Sequence, residues 1–372
     1  MWAMIVKEFR QLRRDRRTLA MMIVLPVVLL VVFGYAASFD VAAIPAVVAG
    51  PRAAQLPVSA PFQVTARAPA EGASWAQKEL RDGHAAVAVV TGPRTVILID
   101  GSQLFTARAA ISALQAAHPR AGGAQPGGGP APQVRVLYNP ELKTSYIMIP
   151  GLAGVVLVFV GIIITSLGVV RERQTGTLEQ LAVMPLRPRD VFLGKIVPYF
   201  AVAAADLAIV LAVGVALFGV PFRGSYAVFA LGALLFLFVT LGIGVLISSV
   251  SENQGQAIQM SFMFTLPQVL LSGLIFPLTS IAAGVRWIAY LLPLTYFNQI
   301  SRGVMLRAEP IGPLWAPLLF LALLGLVVMT LAMLRFRSYL GPAGSRDGGH
   351  GGPAPGAAAV PDPAAAAVTE SR

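Results

Sequence analysis

Uncharged apolar windows divide this chain. Thr18 to Ala37 contains no charged residue, and neither does Thr144 to Val170. Gly224 to Ser251, Asn253 to Val285 and Pro310 to Leu334 are also uncharged, while Ile196 to Phe222 carries one acid, Asp206. A helix needs about 20 apolar residues to cross a hydrocarbon core of about 30 Å, so each window is long enough for one crossing. Lipid leaves the backbone only helix or closed barrel. Uninterrupted apolar runs exclude the barrel, whose strands alternate with period two. The pattern predicts an all-α polytopic membrane protein with about six transmembrane helices.

Between the first two windows lies the only large stretch outside them, 39–143. Val87–Val90 and Val96–Ile99 read as short buried strands, Ser74–Arg81 and Phe105–Ala117 as helices, and Val134–Tyr138 as a last strand. Ala121–Gln133 is a Gly/Pro linker without side chains to pack. A small α+β domain follows from this. The predicted segmentation is a basic segment 1–17, helix 18–38, the α+β domain 39–143, helix 144–170, a polar segment 171–195, four further helices within 196–335, and a tail 336–372. Outer interfacial helices fall at about 277–309, where Trp287, Tyr290 and Tyr296, with Trp315 beyond, suit an aromatic belt. The tail is Gly, Pro and Ala, a composition that predicts disorder. Ala36, Ala37 and Ser38 resemble a cleavage site after the first window. That window's apolar core exceeds the usual 7–15 residues of a signal peptide, which favours an uncleaved anchor.

Of 372 residues, 56% are hydrophobic and 12% charged, about half the charge of a soluble domain. The net charge of +11 suggests nucleic acid until its distribution is read. Lys7, Arg10, Arg13, Arg14, Arg16 and Arg17 precede the first window. Arg171, Arg173, Arg187, Arg189 and Lys195 separate the second and third, and Arg335 and Arg337 follow the sixth. With six crossings these clusters share one side, which the positive-inside rule makes the cytoplasm, with both termini there and the α+β domain outside. No nucleic-acid partner is implied. Cysteine is absent, which excludes disulfides and thiolate metal sites.

Catalytic motifs are missing. Gly194-Lys195 is followed by Ile196, not by Ser or Thr, and Arg189 stands where a phosphate loop has its first glycine. His84, His118 and His350 lie outside the windows, and no zinc-binding H-E-x-x-H or G-x-S-x-G turn occurs. The chain is therefore expected to be no enzyme. The most informative segment is RERQTGTLEQLAVMPLRPRDVFLGK, residues 171–195. As a helix it places Glu172, Gly176 and Glu179 on one face and Leu178, Leu181 and Ala182 on the next, with Pro185 and Pro188 ending it. An acidic face interrupted by glycine admits a close basic partner, although charge alone would also suit an ordinary loop.

These residues carry a resemblance. R-E-R-Q-x-G-T-x-E-Q-L, followed by M-P-L-R-P and L-G-K, is similar to the signature of type-2 ATP-binding-cassette (ABC) exporter permeases. Tyr138-Asn139-Pro140-Glu141-Leu142 with Pro150-Gly151-Leu152 resembles that family's lead-in to its second span. Phe218 to Ser225 resembles its third-to-fourth connection, and Asp100-Gly101-Ser102 matches a motif of its outer domain. Ser272 to Pro277 and Leu292 to Phe297 resemble the end of its fifth span and the outer helices beyond. Between Val47 and Ser74 the chain is shorter than the family pattern, which carries an extra helix and strand there.

The resemblance implies a permease subunit of the bacterial plasma (inner) membrane, paired with a second permease as homodimer or heterodimer. Each permease docks a cytoplasmic ABC ATPase. It implies that ATP and magnesium sit on that ATPase and no cofactor on this chain. A periplasmic adaptor is a further partner where the source has two membranes. It also implies that Glu172, Arg173, Gly176, Thr177 and Glu179, with Leu178, Leu181 and Pro185, form a coupling helix moved by the ATPase.

For the path itself, Asp206 lies about ten residues, or ~15 Å, into the third helix. Intramembrane acids default to a functional reading, but one acid without a basic partner makes a poor relay, and a structural hydrogen bond is favoured. Met260, Phe262, Met263 and Phe264, beside Pro267, suit either an adaptable apolar cavity or ordinary packing. Gly154, Gly161 and Gly168, spaced by seven, suit close helix packing. Drug, lipid, polysaccharide and peptide substrates are all compatible with an apolar path. A membrane sensor would need a cytoplasmic output domain, and an ion-coupled transporter would need several intramembrane ionisable groups where only Asp206 stands.

Overall fold

The computed structural model describes residues 43–117, 132–175 and 188–340. The predicted basic segment 1–17, first helix 18–38, most of the Gly/Pro linker and the tail beyond residue 340 lie outside the described residues.

The α+β domain is a five-stranded sheet in the order β2-β1-β3-β4-β5. Its strands are β1 (Ile44–Ala49), β2 (Phe62–Ala68), β3 (Val87–Val90), β4 (Val96–Asp100) and β5 (Gln133–Leu137). Only β3 and β4 pair antiparallel; the remaining neighbours are parallel. Parallel strands need covered faces, and helices cover both. Ala76 and Leu80 of α1 (Ala73–Arg81) pack on Val47, Ala49, Ala88 and Leu98. On the other face, Ala107 and Ala110 of α2 (Leu104–Ala117) pack on Ile44, Ala46, Val87 and Ile99.

The sequence reading misses β1 and β2. The run IPAVVA of β1 is apolar on both faces, so it shows no alternation and cannot be told from a helical segment. In β2, an edge strand, Gln63, Thr65 and Arg67 point outward at every second position. That alternation was a usable signal.

Four helices among the described residues are long and apolar enough to cross a membrane. The first runs from Thr144 to Gln174 as α3 (Thr144–Val158), a π-helical turn at Phe159–Ile164, and α4 (Thr165–Gln174). The others are in α5 (Pro188–Phe218), α6 (Tyr226–Val250) and α10 (Trp315–Leu340). Between α6 and α10 stand α7 (Gln254–Leu271), α8 (Ala283–Ala289) and α9 (Pro293–Arg307). Helix α6 is the hub, packed by α4, α9 and α10 and buried over two thirds of its apolar window. Helices α5 and α10 turn apolar faces outward, including Ile209 and Leu217 on one and Leu323 and Leu326 on the other. Apolar side chains on an outer face are the composition lipid contact requires.

The three glycines spaced by seven meet three different partners. A Cβ on Gly154 would strike Leu294 and Phe297 of α9, at 2.7 Å each. On Gly161 it would strike Thr240 of α6 at 2.6 Å, and on Gly168 the Tyr199 hydroxyl of α5. Seven residues fall short of two full turns by about 20°, and the π turn adds further rotation, so the stripe winds round the helix.

Three boundaries differ from the sequence reading. The window from Asn253 to Val285 holds not one long helix but 18 residues of α7, then Gly273 at φ 78° and a short helical turn at Leu278–Ser280. Four glutamines in α7 leave it more polar than the four helices that are apolar enough to cross a membrane. Helix α4 continues through Arg171–Gln174, so Glu172 and Arg173 are the last turn of the membrane helix and not part of a separate one. Pro188 opens α5 instead of ending its predecessor, as suits a residue with no N–H to leave unpaired.

Candidate functional site

The helices converge in three places: the end of the bundle remote from the sheet, a polar seam in its interior, and the junction with the sheet domain.

At the remote end, the Arg173 guanidinium donates to the Ser251 carbonyl just beyond α6. Gln254 Nε2 donates to Gln174 Oε1 at 2.9 Å, tying the start of α7 to the end of α4. Asn253 caps α7 by accepting from Gln256 N at 2.9 Å, and Gln256 Oε1 accepts from Glu252 N at 2.9 Å. The first bond caps the helix and the second pins the residue before the cap, so together they fix where the helix begins. Glu172 is half-buried beside Arg173. The other predicted coupling residues, Gly176, Thr177, Leu178, Glu179, Leu181 and Pro185, lie outside the described residues.

In the interior, the Ser166 and Ser261 hydroxyls lie 3.0 Å apart, both fully buried, and Ser261 also donates to the Ala257 carbonyl at 2.7 Å. Thr265 and Gln268 continue the same face of α7 at intervals of four and three, both fully buried. The Thr265 hydroxyl and both ends of the Gln268 amide lack a hydrogen-bond partner among the described residues. Buried polar groups of this kind are few in native proteins, and each marks a candidate functional position. Sequence reasoning missed this polar face and singled out its neighbours. Met260 and Phe264 pack into the bundle core, Phe262 stacks edge-on against Phe159 of the π turn at 6.1 Å, and Met263 is half-buried. These side chains do not share one face. The interval from 261 through 265 to 268 was the readable signal. Asp206 is half-buried on α5 with no hydrogen bond or ion pair among the described residues.

At the junction, quoted motifs meet. Asp100, fully buried at the end of β4, accepts from Ser102 N at 2.9 Å and stands 3.7 Å from Arg307 at the last turn of α9. Arg307 also donates to Glu309 Oε2 at 2.6 Å and to Ser102 Oγ at 3.3 Å. A Cβ on Gly101 would press on the carbonyls of Leu137 and Asn139 at 2.8 Å, so Asp100-Gly101-Ser102 and Tyr138-Asn139-Pro140 seat against each other. Asn139 then brackets Lys143, accepting from its N at 2.9 Å and donating to its carbonyl at 3.0 Å, and launches α3. Arg223, between α5 and α6, donates to the Tyr138 carbonyl at 3.3 Å, and its N–H to Met305 O at 3.0 Å. The sheet domain is thus tied to two separate helix ends.

Burial raises the Asp100 carboxyl above its usual value, and Arg307 and Ser102 only partly oppose it. Burial likewise raises Glu309 against the pull of Arg307. Burial, then the charge of Asp100, push the Tyr138 phenol up to about 12, so it stays neutral.

Residues 16–334 match the model of a family described as ABC-2 family transporter protein. A probable multidrug ABC transporter permease of Escherichia coli (strain K12), YbhR, is 35% identical over 182 residues, 49% of this chain and 50% of the relative. Its companion YbhS is 32% identical over 209 residues, 56% of this chain and 55% of the relative. The inner membrane transport permease YhhJ of the same organism is 30% identical over 213 residues, 56% of each. The matched region spans about half the length of these curated relatives. With the family model covering most of its length, including every described helix but the end of the last, the chain belongs to the ABC-2 family of transporter proteins.

Proposed function

We propose that this chain is the permease subunit of an ATP-driven ABC exporter, with ATP and magnesium handled by a separate cytoplasmic ATPase. The observation that carries the reading is the family match, joined to the continuity of α4 into Arg171–Gln174. A membrane helix that runs unbroken into a charged end can convert a partner's push into a tilt of the span. Arg173 and Gln174 pass that push to α6 and α7 through Ser251 and Gln254. On this reading six spans cross the inner membrane, both termini are cytoplasmic, and the sheet domain faces outward, where an adaptor has access. Two permeases form the path, and the polar seam of α4 and α7 lines it. The names of the relatives support drug-like amphiphiles as cargo.

Co-purification with a co-expressed ABC ATPase, followed by transport in proteoliposomes, tests this. Wild type is expected to capture the ATPase and to move cargo only with ATP. Glu172→Arg is expected to fold but to lose capture or transport. Equal capture and equal transport by the variant, or transport with no ATPase present, overturns the assignment.

A further inference from the structure

A cavity of about 450 Å³ lies where the sheet domain, the hairpin after α7 and helix α9 come together. That size falls within the range of small-molecule pockets, about 300–1,000 Å³. Its walls are of three kinds, one of them the carboxylates of Asp82 and Glu309, each already answered by an arginine, Arg81 at 3.2 Å and Arg307 at 2.6 Å. Leu104, Ile147, Leu274, Leu278 and Leu314 supply an apolar side. Arg302 and Arg307 supply two guanidinium groups.

The two arginines are not equivalent. Arg307 is answered by Glu309 at 2.6 Å and Asp100 at 3.7 Å. Arg302 has no carboxylate partner among the described residues. Its Nη1 and Nη2 donate only to the carbonyls of Gly273 at 3.2 Å and Leu274 at 3.4 Å, and its buried Nε has no acceptor. Asn298, one turn earlier on α9, directs its Nδ2 to Ser272 Oγ at 3.1 Å and leaves a buried Oδ1 without a donor. Arg302 is half-buried, and a charge partly withdrawn from water with no counterion costs free energy unless a ligand supplies one. Exposed Trp287, Tyr290 and Trp315 stand at the same end of the bundle, the residue types that mark a membrane–water boundary.

We propose that this cavity binds an anionic amphiphile, its carboxylate or phosphate oxygens paired with Arg302 and its apolar chain laid against Leu104, Leu274, Leu278 and Leu314. Asn298 Oδ1 accepts from a hydroxyl next to the anionic group. The bidentate geometry of a guanidinium suits such an oxyanion. The site lies apart from the α4–α7 seam and needs no nucleotide, so it stands whether or not the ATPase reading does.

The test titrates purified full-length protein in phosphatidylcholine nanodiscs with dodecyl phosphate, following the thermal midpoint and the heat of binding. Wild type is expected to bind saturably, and inorganic phosphate alone is expected to give no shift. Arg302→Gln is expected to weaken binding by about tenfold or more, the value of one lost charge-assisted contact. Arg302→Lys is expected to recover most of it. Should Arg302→Gln fold poorly without ligand, Leu278→Phe fills the apolar side and leaves the arginine in place; it too is expected to weaken binding. Nanodiscs containing phosphatidylglycerol distinguish the source: competition with dodecyl phosphate identifies a lipid headgroup, and unchanged affinity a soluble amphiphile. Binding unaltered in both Arg302→Gln and Leu278→Phe, or an equal response to inorganic phosphate, overturns the proposal.

Discussion

Asp100 at the end of β4 and Arg307 at the end of α9 form a buried ion pair at 3.7 Å, across more than two hundred residues of chain. Glu309 completes a triad by taking the other side of the guanidinium at 2.6 Å. One cation thus holds two buried acids at the place where the sheet domain meets the helices.

Arg307→Met should therefore be costly. Removing one partner of a buried pair leaves uncompensated charge, worth about 3–5 kcal/mol. The expected outcome is a clear fall in the thermal midpoint of the detergent-solubilised protein. An unchanged midpoint would mean the triad does not hold the junction.

The same acids give a pH dependence whose sign can be fixed. Burial raises Asp100 and Glu309 above their usual values of 3.8 and 4.5. The folded chain then keeps protons that the unfolded chain has released. Their contribution is fully present below those usual values and is lost as pH rises through the folded-state values. Asp100→Asn removes one such group, so it should gain on wild type as pH climbs from about 4 to 8. Thermal melts across that range check it, and a difference that stays constant or shrinks with pH contradicts the assignment.

Gly244 allows α6 to approach the π turn. A Cβ there would stand 2.8 Å from the Gly161 carbonyl and 2.9 Å from that of Ile162. Gly244→Val is expected to destabilise by about 1–3 kcal/mol through overpacking. Gly194→Ala, where a Cβ meets nothing within 4 Å among the described residues, is the control and should change little.

The Ser166–Ser261 contact should be worth less than its burial suggests. Hydrogen bonds between membrane helices average about 0.6 kcal/mol in double-mutant cycles, because the separated helices find other partners. A cycle on Ser166→Ala and Ser261→Ala is expected to return a coupling of that order. A coupling of about 3 kcal/mol would assign the pair a larger structural role than these magnitudes allow.

Arg173→Ala removes the tie between the end of α4 and the Ser251 carbonyl. On the proposed function, ATPase capture should persist while transport falls on the order of tenfold, the worth of one charged hydrogen bond. Measuring both in one preparation separates lost coupling from lost folding. Full transport by the variant would show that the push travels by another route.

Most of the transmembrane pattern, the strands β3 to β5, both helices of the sheet domain and the family motifs were legible in the chain itself. Apolar windows set by the thickness of lipid, and alternation set by the strand, are local quantities that a sequence records directly. Other features depended on what packs against what. Residues Asp100, Asn139, Arg223 and Arg307 belong to segments that carry no mutual signal, and only folding brings them to one junction. The outcome for Arg302 and Arg307 shows the reason most clearly. As letters they are the same residue, five positions apart on one helix and lining one cavity, yet one meets two acids and the other meets carbonyls. Charge pairing is a property of distance in space, and tertiary structure alone assigns those distances.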